Sequence, residues 1–343
     1  MRHLRFGIIG TGAIAKVHAA CLKEIESASL IALSSSSKAR AEKAAEDYGV
    51  PVYAHYSELL SKEVLDAVII TTQSGAHLEP ALAAAMAGKH ILCEKPIEVT
   101  LKRANRMIEM CKNEGVKLGC IFQNRFNPNF RLIRKAIREG YLGKLLMGNA
   151  SIHWFRDQAY YAESPWKGTI KGDGGAALIN QGVHTIDLLL NLMGEVGLVF
   201  GKVGTMVHNI EGEDVATASL QFKNGALGSI SAGTALFPGY LERLEIFGEK
   251  GSAVLEGGNI KEWNVEGISG EDKNDRQKFQ SVSKKPMDIS YQLHKQQIAD
   301  FIEAITLDRD PEVTGESSIK ALKLILSIYE SSERNQVIRR LNG

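Results

Sequence analysis

The stretch "LRFGIIGTGAIAKVHAACLKEI", residues 4–25, changes its hydrophobic period halfway along. Leu4–Ile9 is a short apolar run of strand length. From Gly10 onward the apolar residues fall at helical spacing, through Ile14, Val17, Cys21 and Ile25. The join reads Gly10-Thr11-Gly12-Ala13-Ile14-Ala15 and fits the pattern G-x-G-x-x-G/A. Gly10 permits a tight turn, Gly12 lets the backbone approach a pyrophosphate, and Ala15 keeps the helix close to the sheet. The helix start offers free N–H donors and positive partial charge. Gly10, Thr11, Gly12, Ala13 and Ile14 are therefore candidate contacts to a dinucleotide.

Working outward, the same alternation continues to residue 122. A strand at Leu30–Leu33 precedes a helix over Lys38–Tyr48, which stops at Gly49 and Pro51. The run "LDAVIITT" is continuously apolar, as in strands covered on both faces. A helix around Pro80–Ala87, the strand His90–Cys93, a helix over Leu101–Asn113 and the strand Val116–Phe122 follow. Strands separated by crossover helices imply a parallel, doubly wound sheet, so residues 1–122 read as an α/β dinucleotide-binding Rossmann domain.

Ligands of such sheets sit at the carboxyl ends of the strands. The second strand ends in "ALSSSSKAR", with no acid before Glu42 to meet a ribose 2′-hydroxyl. Ser35 and Ser36 are placed to hydrogen-bond a 2′-phosphate, and Lys38 or Arg40 to neutralise it. This favours NADP(H), with NAD(H) possible. In "HILCEKPIEV", residues 90–99, a strand runs directly into Glu94, Lys95 and Pro96. Proline has no N–H to extend the pairing, and Lys95 is left on the working edge.

At 343 residues the chain is long enough for two domains. Hydrophobic residues make up 44% and charged residues 24%, as in globular proteins. Forty-one Lys+Arg against forty Asp+Glu leave a net charge of +1, which offers no basic field for nucleic acid or an anionic membrane. No apolar run approaches the ~20 residues of a membrane span, and "MRHLRFGIIG" does not read as a secretion signal. The four cysteines form no Cys-x-x-Cys pair. They read as free thiols in a reducing compartment, which points to the cytoplasm. No His/Cys/Asp/Glu cluster has ligand spacing, so no metal is expected.

Residues 123–343 have a different texture and form the second domain. Strands are expected in "LLMGNASIHWF", "VGLVFGKVGTMVH", "EDVATASLQF", "GALGSISAGT" and "LERLEIFG". With few helices between them, they imply a large, open, mainly antiparallel sheet in an α+β domain. Leu293–Leu307 and Ser317–Glu333 read as closing helices, and "GISGEDKNDRQKFQ" as an exposed polar loop. In "YYAESPWKGTIKGDGGAALINQGVHTIDLLLNLMG", residues 160–194, a glycine cluster precedes a helix. Asn180, His184, Asp187 and Asn191 fall on one polar stripe of its ladder. On the residues alone, His184 is open to a catalytic or a structural role.

Taken together, "GIIGTGAIA", "LDAVIITT", "CEKPIEVT", "GGAALINQGVHTIDLL" and "PEVTGESSIKALKLILSIYES" resemble the glucose-fructose oxidoreductase, inositol dehydrogenase and rhizopine-catabolism (Gfo/Idh/MocA) family. The resemblance spans nearly the whole chain. It implies a nicotinamide-dependent oxidoreductase whose second-domain sheet builds a homodimer or homotetramer. It implies that Lys95 touches the substrate beside the nicotinamide, after a cis Lys95–Pro96 bond. Thr71, His77 and Glu94 then join the cofactor-binding set, with His77 the more structural.

"FQNRF" and "YYAESPWKGT" resemble members acting on sugars, including sugar 3-dehydrogenases, and bring Gln123, Arg125, Tyr161, Trp166, Lys167 and Asn180 forward as substrate-binding residues. Many polyol-oxidising relatives carry Asp where this chain has Asn180, and an amide cannot relay a proton. The resulting expectation is hydride transfer to or from a secondary alcohol carbon. Lys95 polarises the oxygen, and His184 acts as general base or acid. The rival readings are a glycoside hydrolase working through transient oxidation, and a non-catalytic NADP(H)-binding sensor.

Overall fold

The computed structural model describes residues 2–269 and 291–339. The chain divides into two compact units, one of residues 1–123 with 291–319, the other of residues 124–290 with 320–343. A single boundary after residue 122 was expected. The first unit runs to Gln123, and the chain re-enters it at residue 291.

In the first unit, β1 (Leu4–Ile9), α1 (Ala13–Lys23), β2 (Ala28–Ser34), α2 (Lys38–Tyr48), β3 (Val52–Tyr53), α3 (Tyr56–Lys62) and β4 (Ala67–Ile70) come first. They are followed by α4 (Leu78–Met86), β5 (His90–Cys93), α5 (Leu101–Asn113) and β6 (Leu118–Cys120). The strands lie in the order β3-β2-β1-β4-β5-β6, all parallel, which is the doubly wound sheet expected. Every residue of β4 is buried, because helices cover both of its faces. Two elements escaped the sequence reading. β3 is two residues long, and α3 is a helix of only two turns.

The second unit begins with α6 (Pro128–Arg138), β7 (Leu145–His153), α7 (Gln158–Ala162) and α8 (Val183–Met193). Then come β8 (Val196–Gly204), β9 (Val215–Phe222), β10 (Leu227–Gly233), β11 (Arg243–Gly248), β12 (Gly251–Glu256) and β13 (Asn259–Val265). Their order is β13-β12-β11-β7-β10-β9-β8, antiparallel except where β7 pairs with β10. β9 shows how one face is kept dry. Ala216, Ala218, Leu220 and Phe222 are buried, while Thr217, Ser219 and Gln221 alternate with them into solvent. Ile186, Leu189 and Met193 form the apolar side of α8, and Met193 packs against Gly148 of β7.

Two helices close the chain, α9 (Tyr291–Thr306) and α10 (Gly315–Arg334). Ile298, Phe301 and Ile302 of α9 join Leu4, Phe6 and Ile8 of β1 in the core of the first unit, which is why the chain returns there. The expected polar loop over 267–280 lies largely outside the described residues. No helix among the described residues is long and apolar enough to cross a membrane.

Candidate active site

The turn after β1 has the geometry its glycines suggested. Gly10 has φ +109°, and a Cβ there would stand 2.7 Å from the carbonyl oxygen of Thr71, so only glycine fits. Gly12 caps α1 with no side-chain hydrogen bond, no acid occupies the first turn, and a Cβ on Gly12 would meet nothing within 4 Å. An uncapped helix start facing open space fits an anionic phosphate group.

Several other expected cofactor contacts also make hydrogen bonds within the unit. The Thr71 hydroxyl donates toward the carbonyls of Ile9 and Gly10, at 3.2 and 3.1 Å, and ties the end of β4 to the glycine turn. Thr11 donates to the Ser35 hydroxyl at 2.7 Å, and buried Ser35 donates to the Ser37 carbonyl at 3.3 Å. Ser36, Lys38 and Arg40 remain exposed at the end of β2.

The segment Glu94–Glu98 is held from several sides. The Lys95–Pro96 peptide is cis, and Lys95 is half-buried directly beyond the carboxyl end of β5. One Glu94 oxygen lies 2.7 Å from His18 Nε2, and the other accepts the Lys95 backbone N–H at 3.1 Å. Burial pushes the Glu94 carboxyl up, but the His18 hydrogen bond and nearby positive charge outweigh it and hold the group at about 2. Fully buried Glu98 accepts from the backbone N–H groups of Leu78 and Val99 and from Arg103, each at 2.9 Å. His77 sits with Nδ1 3.0 Å from the Pro96 carbonyl and Nε2 3.2 Å from that of Thr72, so its geometry is that of a loop tie. Of these supports, His18, Glu98 and Arg103 were not singled out from sequence. The only local signal was a pair of acids flanking Lys-Pro.

In the second unit the expected polar stripe is broken. Residues Ala177–Gly182 form a π-helical turn leading into α8, a wide turn that recurs at functional sites. The extra residue takes Asn180 off the α-helical ladder, while His184 stands half-buried in the first turn of α8. Asp187 faces inward, 1% exposed, and its carboxylate takes Arg125 Nε at 2.7 Å and Nη2 at 2.5 Å. Burial pushes the Asp187 carboxyl up, against the pull of that guanidinium. Arg125, 3% exposed, is therefore a partner of α8 rather than an open cation. Gln123, in the same short turn, has a buried Oε1 with no hydrogen-bond partner among the described residues.

Around the π-turn, Asn180 donates from Nδ2 to buried Asp173, and its Oδ1 accepts from Gln181 at 3.2 Å. Gln181 also donates to the Tyr160 hydroxyl at 2.9 Å and accepts from Arg156 at 3.0 Å. Burial pushes the Tyr160 hydroxyl up to about 12. Lys167 pairs with Glu163 at 2.5 Å and lies 3.8 Å from the centre of the Tyr160 ring. Tyr161 is buried and bonded to Thr234 at 2.7 Å, whereas Trp166 is partly buried on the same loop.

Glu213, also missed from sequence, accepts the N–H groups of Ala176 at 3.1 Å and Leu178 at 2.7 Å and so caps the π-turn. No group of three His, Cys, Asp or Glu among the described residues could hold a metal ion.

These arrangements belong to a recognised class. Residues 4–122 match the model of an oxidoreductase family with an NAD-binding Rossmann fold, and residues 130–254 match the GFO/IDH/MocA C-terminal domain. The chain belongs to the Gfo/Idh/MocA family of nicotinamide-dependent oxidoreductases. It is 31% identical to myo-inositol 2-dehydrogenase of Thermotoga maritima over 343 residues, covering 98% of each chain. It is 28% identical to inositol 2-dehydrogenase of Rhizobium meliloti, over 97% of this chain and 98% of that one. Among solved structures, it superposes on the WlbA dehydrogenase of Bordetella pertussis, in complex with NADH and UDP-GlcNAcA, with a TM-score of 0.89 at 30% identity over 99% of both chains. Curated relatives include dehydrogenases named for NAD(+) and others named for NADP(+).

Proposed function

We propose that the protein transfers hydride between a nicotinamide dinucleotide and a secondary alcohol or ketone carbon of a sugar, sugar derivative or polyol. One observation carries the reading. The uncapped start of α1 and Lys95 both stand at the carboxyl ends of strands in one parallel sheet. Bound nicotinamide supplies the hydride acceptor in oxidation and the donor in reduction. Gly12 and the first N–H groups of α1 hold the pyrophosphate. Lys95 stabilises the negative charge that grows on the substrate oxygen, and His184 removes or returns the hydroxyl proton.

Gln123, Trp166 and Asn180 contact substrate hydroxyls. The unsatisfied Gln123 Oε1 supports this, since a buried acceptor without a donor is costly until a ligand supplies one. Ser36, Lys38 and Arg40 hold a 2′-phosphate and favour NADP(H). Their exposure at the end of β2 and the absence of an acid there support that choice. The bare face of the second sheet, with Met147, Phe200, Leu227 and Phe247 among small polar residues, is the surface of a homodimer or homotetramer. Four buried cysteines with no disulfide suit a reducing, cytoplasmic setting.

The test is Lys95→Met, assayed with NADP+ and NAD+ against myo-inositol, free hexoses and UDP-linked hexuronates. Cofactor affinity is expected to hold, while turnover falls about a hundredfold or more, as when one oxyanion donor is lost. Normal turnover in the variant overturns the assignment of Lys95.

A further inference from the structure

The glycine turn and Lys95 lie on different strands, and one buried contact joins the elements that carry them. His18 is on the inner face of α1, 0% exposed, and Glu94, 6% exposed, immediately precedes Lys95. Their side chains meet at 2.7 Å. An ionised carboxylate only accepts hydrogen bonds, so His18 Nε2 is the donor in this contact. The second Glu94 oxygen holds the backbone N–H of Lys95 at 3.1 Å. A buried ion-type pair gains little stability over a well-packed apolar pair, and the surroundings on α1 are apolar, with Ala15, Ala19 and Leu22 in the core. What the pair adds is position: a line of contacts from the helix that receives the cofactor to the backbone of the lysine.

We propose that His18 is a positioning residue for Lys95, its imidazole holding the Glu94 carboxylate so that the Lys95 backbone is fixed relative to α1. The inference rests on the role proposed above for Lys95. His18 itself touches neither the substrate nor the Lys95 ammonium; it acts through Glu94.

The charged and titratable groups around Glu94 are His18 on α1, His294 on α9 and Lys95 in the same turn, with the Cys93 thiol close enough to feel the carboxylate and the Cys120 thiol of β6 3.9 Å from the Glu94 carbonyl. The His294 ring stands edge-on to that of His18, with centroids 5.6 Å apart. Burial opposes ionisation of Glu94, and the His18 hydrogen bond is the largest influence against it. With His18 gone, the carboxyl takes up a proton at a higher pH, and the Lys95 backbone loses its charged acceptor there.

The test compares the wild-type chain with His18→Leu and His18→Gln, glutamine retaining an N–H donor near the Nε2 position. Three readouts need no knowledge of the substrate. Titration of the Glu94 carboxyl by carbon-13 NMR is expected to move up toward or beyond the ordinary carboxylate range in His18→Leu and back down in His18→Gln. Amide exchange over residues 93–98 is expected to quicken about tenfold or more in His18→Leu, with helix α5 unchanged and NADPH fluorescence titration giving an affinity within about threefold of wild type.

If His18→Leu does not fold, Glu94→Gln, which keeps the shape but weakens the acceptor, is expected to quicken exchange over the same segment. An unmoved Glu94 titration, or exchange quickened equally across the whole unit, overturns the proposal. These outcomes are independent of Lys95→Met turnover, so failure here is separable from failure of the functional reading.

Discussion

Arg125 shows how a single side chain can have two plausible employers. Its guanidinium grips Asp187 with two donors, and both side chains are almost fully desolvated. Removing the guanidinium leaves the Asp187 carboxylate buried without its charged partner, at a cost of about 3–5 kcal/mol. Arg125→Met is therefore expected to lower unfolding stability by that amount in urea titration. A loss under about 1 kcal/mol would mean that the pair is solvated in solution.

The sequence reading placed Arg125 at the substrate because its neighbours resemble those of sugar-oxidising relatives. It had no means of seeing a partner 62 positions away. The same blindness hid His18 and Glu98, whose roles come from what faces them across the sheet edge. Residues whose roles depend on backbone alone, such as Gly10, were legible, because conformational constraint is local.

At the scale of elements, several strands and helices with a clean period were read almost to the residue, as with Leu4–Ile9, Lys38–Tyr48, His90–Cys93 and Leu101–Asn113. Helix α6 went unread although its Phe130, Ile133 and Ala136 recur at helical spacing, and the other misses have physical causes. β3 and α3 are too short to show a period, and β12 and β13 follow a tight Gly-rich turn without strong alternation. The π-turn at Ala177–Gly182 could not be seen from spacing, because the residue pattern is helical and it is the Gln181 N–H, reaching back five residues to the Ala176 carbonyl at 3.2 Å, that reveals the wider turn.

The β1–α1 turn offers the sharpest test at this scale, since its two glycines serve different ends. Gly12→Ala has an ordinary extended backbone and free space, so its cost is expected to stay within the modest preference of a helix N-cap for glycine over alanine, under about 1 kcal/mol. The added methyl does, however, stand where the pyrophosphate must approach. The thermal shift given by NADPH is expected to vanish while the unliganded melting temperature holds. Gly10→Ala is the converse: positive φ and a backbone clash with Thr71 predict about 1–3 kcal/mol of destabilisation with or without cofactor. Equal effects of the two changes on unliganded stability would contradict this division of labour.

For the molecule as a whole, the informative fact is that the dinucleotide-binding unit is not finished when its sixth strand is. The fold class was legible because periodicity changes near residue 122, but a helix that returns after a second sheet looks like a terminal cap in sequence. In the structure it is core. Ile298 and Phe301 are 0% exposed and Ile302 is 1%, packed with Leu4, Phe6, Ile8 and the inner face of α1.

Burying each such side chain contributes about 1.5–3 kcal/mol. The three together rival the whole stability of a typical domain, about 5–15 kcal/mol. A fragment of residues 1–123 is therefore expected to expose that surface and to melt without a cooperative transition in far-UV circular dichroism. The same fragment joined by a flexible linker to residues 291–319 should regain a sigmoidal melt and a thermal shift with NADPH, since α1 and its glycine turn lie wholly within it. A cooperative melt of residues 1–123 alone, at the midpoint of the joined fragment, would show that α9 covers a finished core rather than completing one.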